Sequence, residues 1–388
     1  VPRTTLVPRL RPFTSTIFAE MTALAVSTGA VNLGQGFPDT DGPAAMLAAA
    51  QEAIGAGINQ YPPGPGRPEL RAAIAAQRSR YGTHFDPDTE ILVTVGATEA
   101  IAASLLALVD VGDEVIMFEP YYDSYAASVA MSGATRRVVS LAEEPSGRFG
   151  LDVDALRAAV TPATKAILVN TPHNPTGTVL TAEELAEIAA VCVEHDLLAI
   201  TDEVYEDLLF DGLRHVPLGS LPDMASRTLT ISSAGKSFNC TGWKIGWVCG
   251  PAELVAAVRS AKQFLTFVGG APFQPAIAHA LNHESAWVKD LRDSLANKRD
   301  RLSAGLAEAG FGVRPTAGTY FVCADVRPLG FTDGLELCRE LPGRIGVAGV
   351  PVQVFTDNPD RWRHLVRFAF CKKDEILDEA IERLHKLG

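Results

Sequence analysis

Ser232-Ser-Ala-Gly-Lys236-Ser-Phe-Asn-Cys-Thr-Gly-Trp-Lys244-Ile-Gly-Trp247 joins two short β-branched runs, Thr228–Ser232 and Ile245–Cys249. Runs of this length and composition read as buried strands. Lys236 therefore sits just past the C-terminal end of a strand, where the binding loops of open α/β sheets collect. Two familiar motifs compete for it. A P-loop ending in Gly235-Lys236-Ser237 would need glycine at position 230, which is Thr230. The SxxK of penicillin-binding enzymes matches Ser233-Ala-Gly-Lys236, but the SDN and KTG strings it requires are absent. What is left is a lysine whose small neighbours, Ser232, Ser233, Ala234 and Gly235, let a ligand approach closely.

Outward from this loop the same pattern repeats. Ile91–Val95, Glu114–Phe118, Lys165–Asn170 and Leu197–Thr201 also read as strands, and Thr98–Val109, Ser124–Met131, Val153–Val160 and Ala182–His195 as helices between them. Thr181 with Glu184 forms a capping-box pair ahead of the last helix. Such alternation predicts an α/β fold built on a mostly parallel sheet covered on both faces. From Ala276 to Ala309 the sequence reads as one long helical stretch, followed by strand-like Thr319–Ala324 and Leu365–Cys371 and a helix over Asp374–Leu387. A smaller α+β domain is expected there, and the first forty residues read as irregular.

With 388 residues the chain exceeds the size at which a single core stops growing, so two domains are expected. No apolar run approaches the length of a membrane span, and no signal-peptide core follows Arg3, Arg9 and Arg11. Six scattered cysteines without a CxxC pair suit reduced thiols in a cytoplasmic protein and give no metal site. A net charge of −12 without a basic stripe argues against nucleic acid.

A lone lysine is ordinarily a solvated surface charge. Lys236 gains meaning from the other strand ends. Thr171-Pro-His-Asn174-Pro-Thr-Gly177 and Thr201-Asp202-Glu-Val-Tyr205 both leave strand C-termini and should face the same crevice. Their residue types match the needs of a pyridine aldehyde cofactor. Asp202 would keep the ring nitrogen protonated, making the ring an electron sink. Tyr205 and Asn174 would stabilise its phenolate oxygen. Gly96-Ala97-Thr98, at a strand-to-helix turn, would cradle a phosphate with the help of the Ser233 hydroxyl and the Lys244 charge.

Taken together, the Lys236 segment, His173-Asn-Pro-Thr-Gly177 and Asp202-Glu-Val-Tyr205 resemble the class I/II aminotransferases of fold type I. Asn32-Leu-Gly-Gln-Gly36-Phe-Pro-Asp39 and Asn59-Gln-Tyr61-Pro-Pro-Gly-Pro-Gly66 are similar to the kynurenine aminotransferase, glutamine transaminase K and methionine aminotransferase branch. Over nearly the whole chain, and notably in Lys262-Gln-Phe-Leu-Thr-Phe-Val-Gly-Gly-Ala-Pro-Phe-Gln274, the resemblance is strongest to actinobacterial N-succinyldiaminopimelate aminotransferases. It implies a seven-stranded sheet in a large pyridoxal-phosphate-binding domain over residues 41–280. An N-terminal arm (1–40) leaning on a small C-terminal domain (281–388) would complete the chain.

The resemblance also implies roles for individual residues. Lys236 would carry pyridoxal 5'-phosphate as a Schiff base and then act as general base. Arg367 and the Gly36 amide would bind the substrate carboxylate, Tyr122 would stack on the pyridine ring, and Phe18 would line the substrate pocket. Tyr61 would reach the phosphate of the second subunit in a homodimer with shared sites. The implied reaction is ping-pong transfer from an amino acid to a 2-oxo acid, 2-oxoglutarate above all, in lysine biosynthesis. The alternative is kynurenine, glutamine or methionine transamination with β-lyase activity on cysteine S-conjugates. Relatives carry Gly-Tyr where this chain has Ala97-Thr98, a departure that bears on aromatic donors.

Overall fold

The computed structural model describes residues 6–13 and 17–387; the remainder of the N-terminal arm, residues 1–5 and 14–16, lies outside the described residues. Seven strands form the central sheet in the order Ile91–Val95, Ile245–Cys249, Thr228–Ser233, Leu198–Asp202, Thr164–Asn170, Glu114–Glu119 and Thr135–Ser140. All run parallel except Ile245–Cys249, which is antiparallel to both its neighbours. The strand alternation separates two buried cores. Val115, Met117, Ala166 and Leu168 pack on one face beneath helices Gly96–Leu108, Asp123–Ser132 and Ala252–Lys262. Ile116, Phe118, Ile167 and Val169 pack on the other beneath Ala182–Glu194. Because strands buried on both faces need apolar side chains at every position, they read as continuous runs in the sequence.

The smaller lobe holds a four-stranded antiparallel sheet in the order Gly312–Val313, Phe321–Asp325, Leu365–Ala369 and Val350–Pro351. Helices Ser285–Glu308, Gly334–Arg344 and Asp374–Leu384 enclose it. The last of these buries Leu377, Ala380 and Leu384, the stripe expected of an amphipathic helix on a core.

Several expectations are corrected. The arm is not irregular: Ile17–Thr28 is a helix against Gly334–Arg344, and Val31–Asn32 pairs with Val347–Ala348 of the small lobe. The turn Pro8–Phe13 packs instead on helix Asp123–Ser132 of the sheet domain. The stretch expected as one helix from Ala276 breaks at Glu284 into Phe273–His283 and Ser285–Glu308. The first half lies on Ala44–Gly55 and Pro68–Ser79, while the second crosses to the small lobe. The strand Thr135–Ser140 escapes sequence reading because Thr-Arg-Arg-Val-Val-Ser is an edge strand, mostly polar and only partly buried. The capping box of Ala182–Glu194 is present, with Thr181 Oγ1 accepting from the Glu184 amide at 3.2 Å and Glu184 Oε2 accepting from the Thr181 amide at 2.7 Å.

Candidate active site

The sheet delivers its functional groups along one edge. Val95, Asn170, Asp202 and Ser233 end parallel strands there, and the reversed strand Ile245–Cys249 enters from the same edge, bringing in Lys244 ahead of it. Asn170, Asp202, Ser233 and Lys244 line a cavity of about 280 Å³. Of the residues singled out from sequence, Phe18, Gly36, Ala97, Thr98, Tyr122, Asn174, Asp202, Tyr205, Ser233, Lys236, Lys244 and Arg367 all line it. Tyr61 does not; it stands on the surface at 82% exposure, its ring against Phe267.

Lys236 lies in the short helical turn Ala234–Ser237, and its Nζ donates to the Tyr320 hydroxyl at 2.9 Å. Burial lowers its ammonium to about 8, with Arg367 and Lys244 adding to the effect and Cys371 and Asp202 opposing it. An amine so poised is partly neutral near physiological pH and can act as nucleophile or base. Asp202 accepts the Tyr125 hydroxyl on Oδ2 at 2.7 Å and the Val204 amide on Oδ1 at 3.2 Å. Burial pushes its carboxyl up to about 6 against those two hydrogen bonds and Lys236. Burial likewise raises the Tyr205 phenol, which stays protonated and able to donate.

Arg367 occupies the middle of a small-lobe strand, opposite Cys323, and is 2% exposed. Its Nη1 donates to Asn174 Oδ1 at 2.8 Å and its Nη2 to the Gly34 carbonyl at 2.9 Å, while Nε has no partner. The Phe321 ring covers the guanidinium at 4.0 Å. Among the described residues no carboxylate forms an ion pair with it. A buried cation left in this state is costly, and a planar one with a free donor is built for a bidentate anion.

The phosphate end is assembled from backbone. Gly96 opens the helix Gly96–Leu108 at φ +73°, and a Cβ there would meet Lys244 Nζ at 3.0 Å, so the amine lies directly over the turn. Lys244 itself is left-handed at φ 54°. A Cβ on Gly246 would come within 2.5 Å of the Gly96 carbonyl carbon, so the two backbones touch. A helix N-terminus, hydroxyls of Thr98 and Ser233, and one ammonium together form an anion cradle. The donor set fits pyridoxal phosphate: a cradle for its phosphate, a carboxylate for its ring nitrogen, a phenol and an amide for its ring oxygen, and a lysine for its aldehyde.

Several lining residues were not foreseen. Asn170 accepts the Asn174 amide at 2.8 Å and donates to the Asp202 carbonyl at 2.9 Å, tying two loops together. Tyr125 reads as a core aromatic on its helix, and Phe321 becomes visible only once the strand pairing sets Cys323 opposite Arg367. Glu203, next to Asp202, faces away. With Glu206 and His215 it forms a trio of metal-ligand type, yet Arg78 fills the space between them, donating to both carboxylates. Burial opposes its charge, but His215 and Arg78 hold Glu203 down to about 2, so the trio is an internal ion network.

The sequence matches the family of class I and II aminotransferases over residues 28–384. It is 62% identical to a probable N-succinyldiaminopimelate aminotransferase, DapC, of Mycobacterium tuberculosis, covering 98% of each chain. It is 39% identical to a methionine aminotransferase of Escherichia coli, covering 98% of this chain and 99% of that one. The solved N-succinyldiaminopimelate aminotransferase of M. tuberculosis superposes with a TM-score of 0.97 over 99% of this chain and 100% of its own. With its fold, its site and these relatives in agreement, the chain belongs to the class I and II aminotransferases.

Proposed function

We propose that this aminotransferase uses pyridoxal 5'-phosphate to move the amino group of N-succinyldiaminopimelate to a 2-oxo acid, 2-oxoglutarate above all, in two half-reactions. The cofactor supplies a covalent link to the donor amine and a sink for the charge left when its Cα loses a proton. Lys236 would hold the cofactor and, once displaced, carry that proton. Ionised Asp202 would keep the ring nitrogen protonated, and Tyr205 and Asn174 would bond to the ring oxygen. Tyr122 would cover the ring; Ala97, Thr98, Ser233 and Lys244 would take the phosphate. Arg367 and Gly36 would seize the substrate carboxylate, with Phe18 beside them.

The observation that carries the reading is a pair of cations, Arg367 and Lys244, lining the same cavity as Lys236 and without ion-paired carboxylates among the described residues. The high identity to the mycobacterial protein supports the donor class. The six buried free thiols support a cytoplasmic setting. Tyr61, exposed and not among the residues that line its own cavity, supports a homodimer in which it serves the second site.

A visible spectrum tests this directly. The wild-type protein given the cofactor should show an absorption band that N-succinyldiaminopimelate shifts and 2-oxoglutarate restores, and Lys236→Ala should lack the band. Loss of the general base alone should cost about 10²–10⁴-fold in rate. A band that no amino acid moves would sink the proposal, while one moved by kynurenine alone would overturn the donor.

A further inference from the structure

Tyr320 precedes the strand Phe321–Asp325, and its hydroxyl joins two parts of the site that lie far apart in sequence. Lys236 Nζ donates to it at 2.9 Å, and it donates to the Gly36 carbonyl at 2.6 Å. A phenol has one proton, and of its three polar neighbours, Lys236 Nζ, the Tyr205 hydroxyl and the Gly36 carbonyl, the carbonyl is the one that can only accept it. Toward Lys236 the hydroxyl can therefore only accept. The direction matters to an amine. A neutral amine whose lone pair receives a hydrogen bond is a weaker base, whereas one that only donates keeps its lone pair free.

The surroundings fix this polarity. Tyr320 is 1% exposed, and burial holds its phenol protonated. Its ring is wedged edge-on between Tyr205, at 5.2 Å, and Phe321, at 4.9 Å. The accepting loop is equally constrained. Arg367 Nη2 donates to the Gly34 carbonyl at 2.9 Å and Lys372 Nζ to the Phe37 carbonyl at 2.8 Å, so small-lobe side chains hold carbonyls on both sides of Gly36. The Phe321 ring fills the space beside Gly36, where a Cβ would sit 2.5 Å from Phe321 Cζ.

We infer that Tyr320 is a positioning residue for Lys236: by accepting one N–H of the free amine it aims the lone pair at the donor's Cα and couples that aim to the seating of Gly34–Phe37. What Lys236 does with its lone pair rests on the aminotransferase reading; the hydrogen-bonded chain does not.

Tyr320→Phe keeps the ring packing and removes the acceptor, and two readouts follow. In cofactor-free protein, the pH dependence of Lys236 acylation by acetic anhydride is followed by mass spectrometry. An ammonium deprived of an acceptor loses its proton more readily, so the midpoint should fall by about one pH unit. In the loaded enzyme, kcat should drop about 10–100-fold with donor KM nearly unchanged, and the isotope effect of Cα-deuterated donor should rise. An unmoved acylation midpoint overturns the inference. So does a loss carried by KM with an unaltered isotope effect. Should Tyr320→Phe fail to fold, 3-fluorotyrosine placed at 320 weakens the acceptor at constant size and must move both readouts the same way. Failure of the aminotransferase reading looks different: wild-type protein would show no donor half-reaction while the acylation midpoint still moved.

Discussion

Asp202 is hydrogen-bonded by a phenol and a backbone amide, not by a cation, and burial leaves its carboxyl at about 6 in the protein without cofactor. An acid whose folded pKa lies above its unfolded value binds more protons when folded. Its contribution to stability is thus present below the unfolded value near 4, falls as pH rises to about 6, and stays lost above that. Two units correspond to about 3 kcal/mol. Cofactor-free Asp202→Asn should therefore melt above wild type at neutral pH and at the same temperature near pH 4. A gap that fails to open between those values would contradict the account. In the loaded enzyme the sign reverses, because the charge is what the ring nitrogen needs, and kcat should fall by about 10²–10³-fold. Asp202 was legible in the sequence because a carboxylate directly after a strand must sit at the sheet edge. Tyr125 was not, because a tyrosine within a helix reads as core until its hydroxyl is seen to reach Asp202. Tyr320 was hidden for a related reason: it stands among aromatics, and only the folded chain shows where its proton goes.

Apart from the edge strand Thr135–Ser140, the main elements between Ile91 and Cys249 were readable because the inner strands are buried on both faces and the helices are bounded by turns. Those that escaped lack that signature. Ile17–Thr28 buries only Met21 and Ala25, too little for a visible stripe, and Glu284 breaks a helical pattern without proline or glycine. What no pattern conveys is how closely elements approach. Gly246 lies in a strand interior, where glycine is ordinarily a weakness. Here it allows the strand to touch the turn that opens the helix Gly96–Leu108. Gly246→Ala should push the two apart, lowering stability by about 1–3 kcal/mol in urea denaturation and weakening cofactor affinity in a titration. Gly55 ends the helix Ala44–Gly55 with nothing within 4 Å of a Cβ. Gly55→Ala should be neutral or stabilising by up to about 1 kcal/mol, with affinity untouched. Equal behaviour of the two variants would show that the contact is not what matters at 246.

The two lobes meet at the cavity, Arg367 coming from one and Lys236 from the other, but the surface carries a feature that a single chain does not use. Tyr61 and Phe264 are 82% and 86% exposed, with Leu265 and Phe267 close to half exposed. Lys262, itself buried, donates to the Phe267 carbonyl at 2.5 Å and so fixes the turn that displays Phe264, Leu265 and Phe267. Aromatics held out in this way mark a contact surface. The two-fold dimer implied by family resemblance, with Tyr61 reaching the second site, would bury them and give each cavity groups from both chains. Such sharing has a quantitative consequence. Lys236→Ala and Tyr61→Ala should each be impaired alone. When the two are unfolded and refolded together, random pairing makes half the dimers hybrids. Each hybrid holds one doubly altered site and one intact site, in which Lys236 comes from one chain and Tyr61 from the other. The mixture should recover about a quarter of wild-type activity by this count. If Tyr61 served its own cavity, no pairing could create an intact site, and the mixture would stay at the mean of its components.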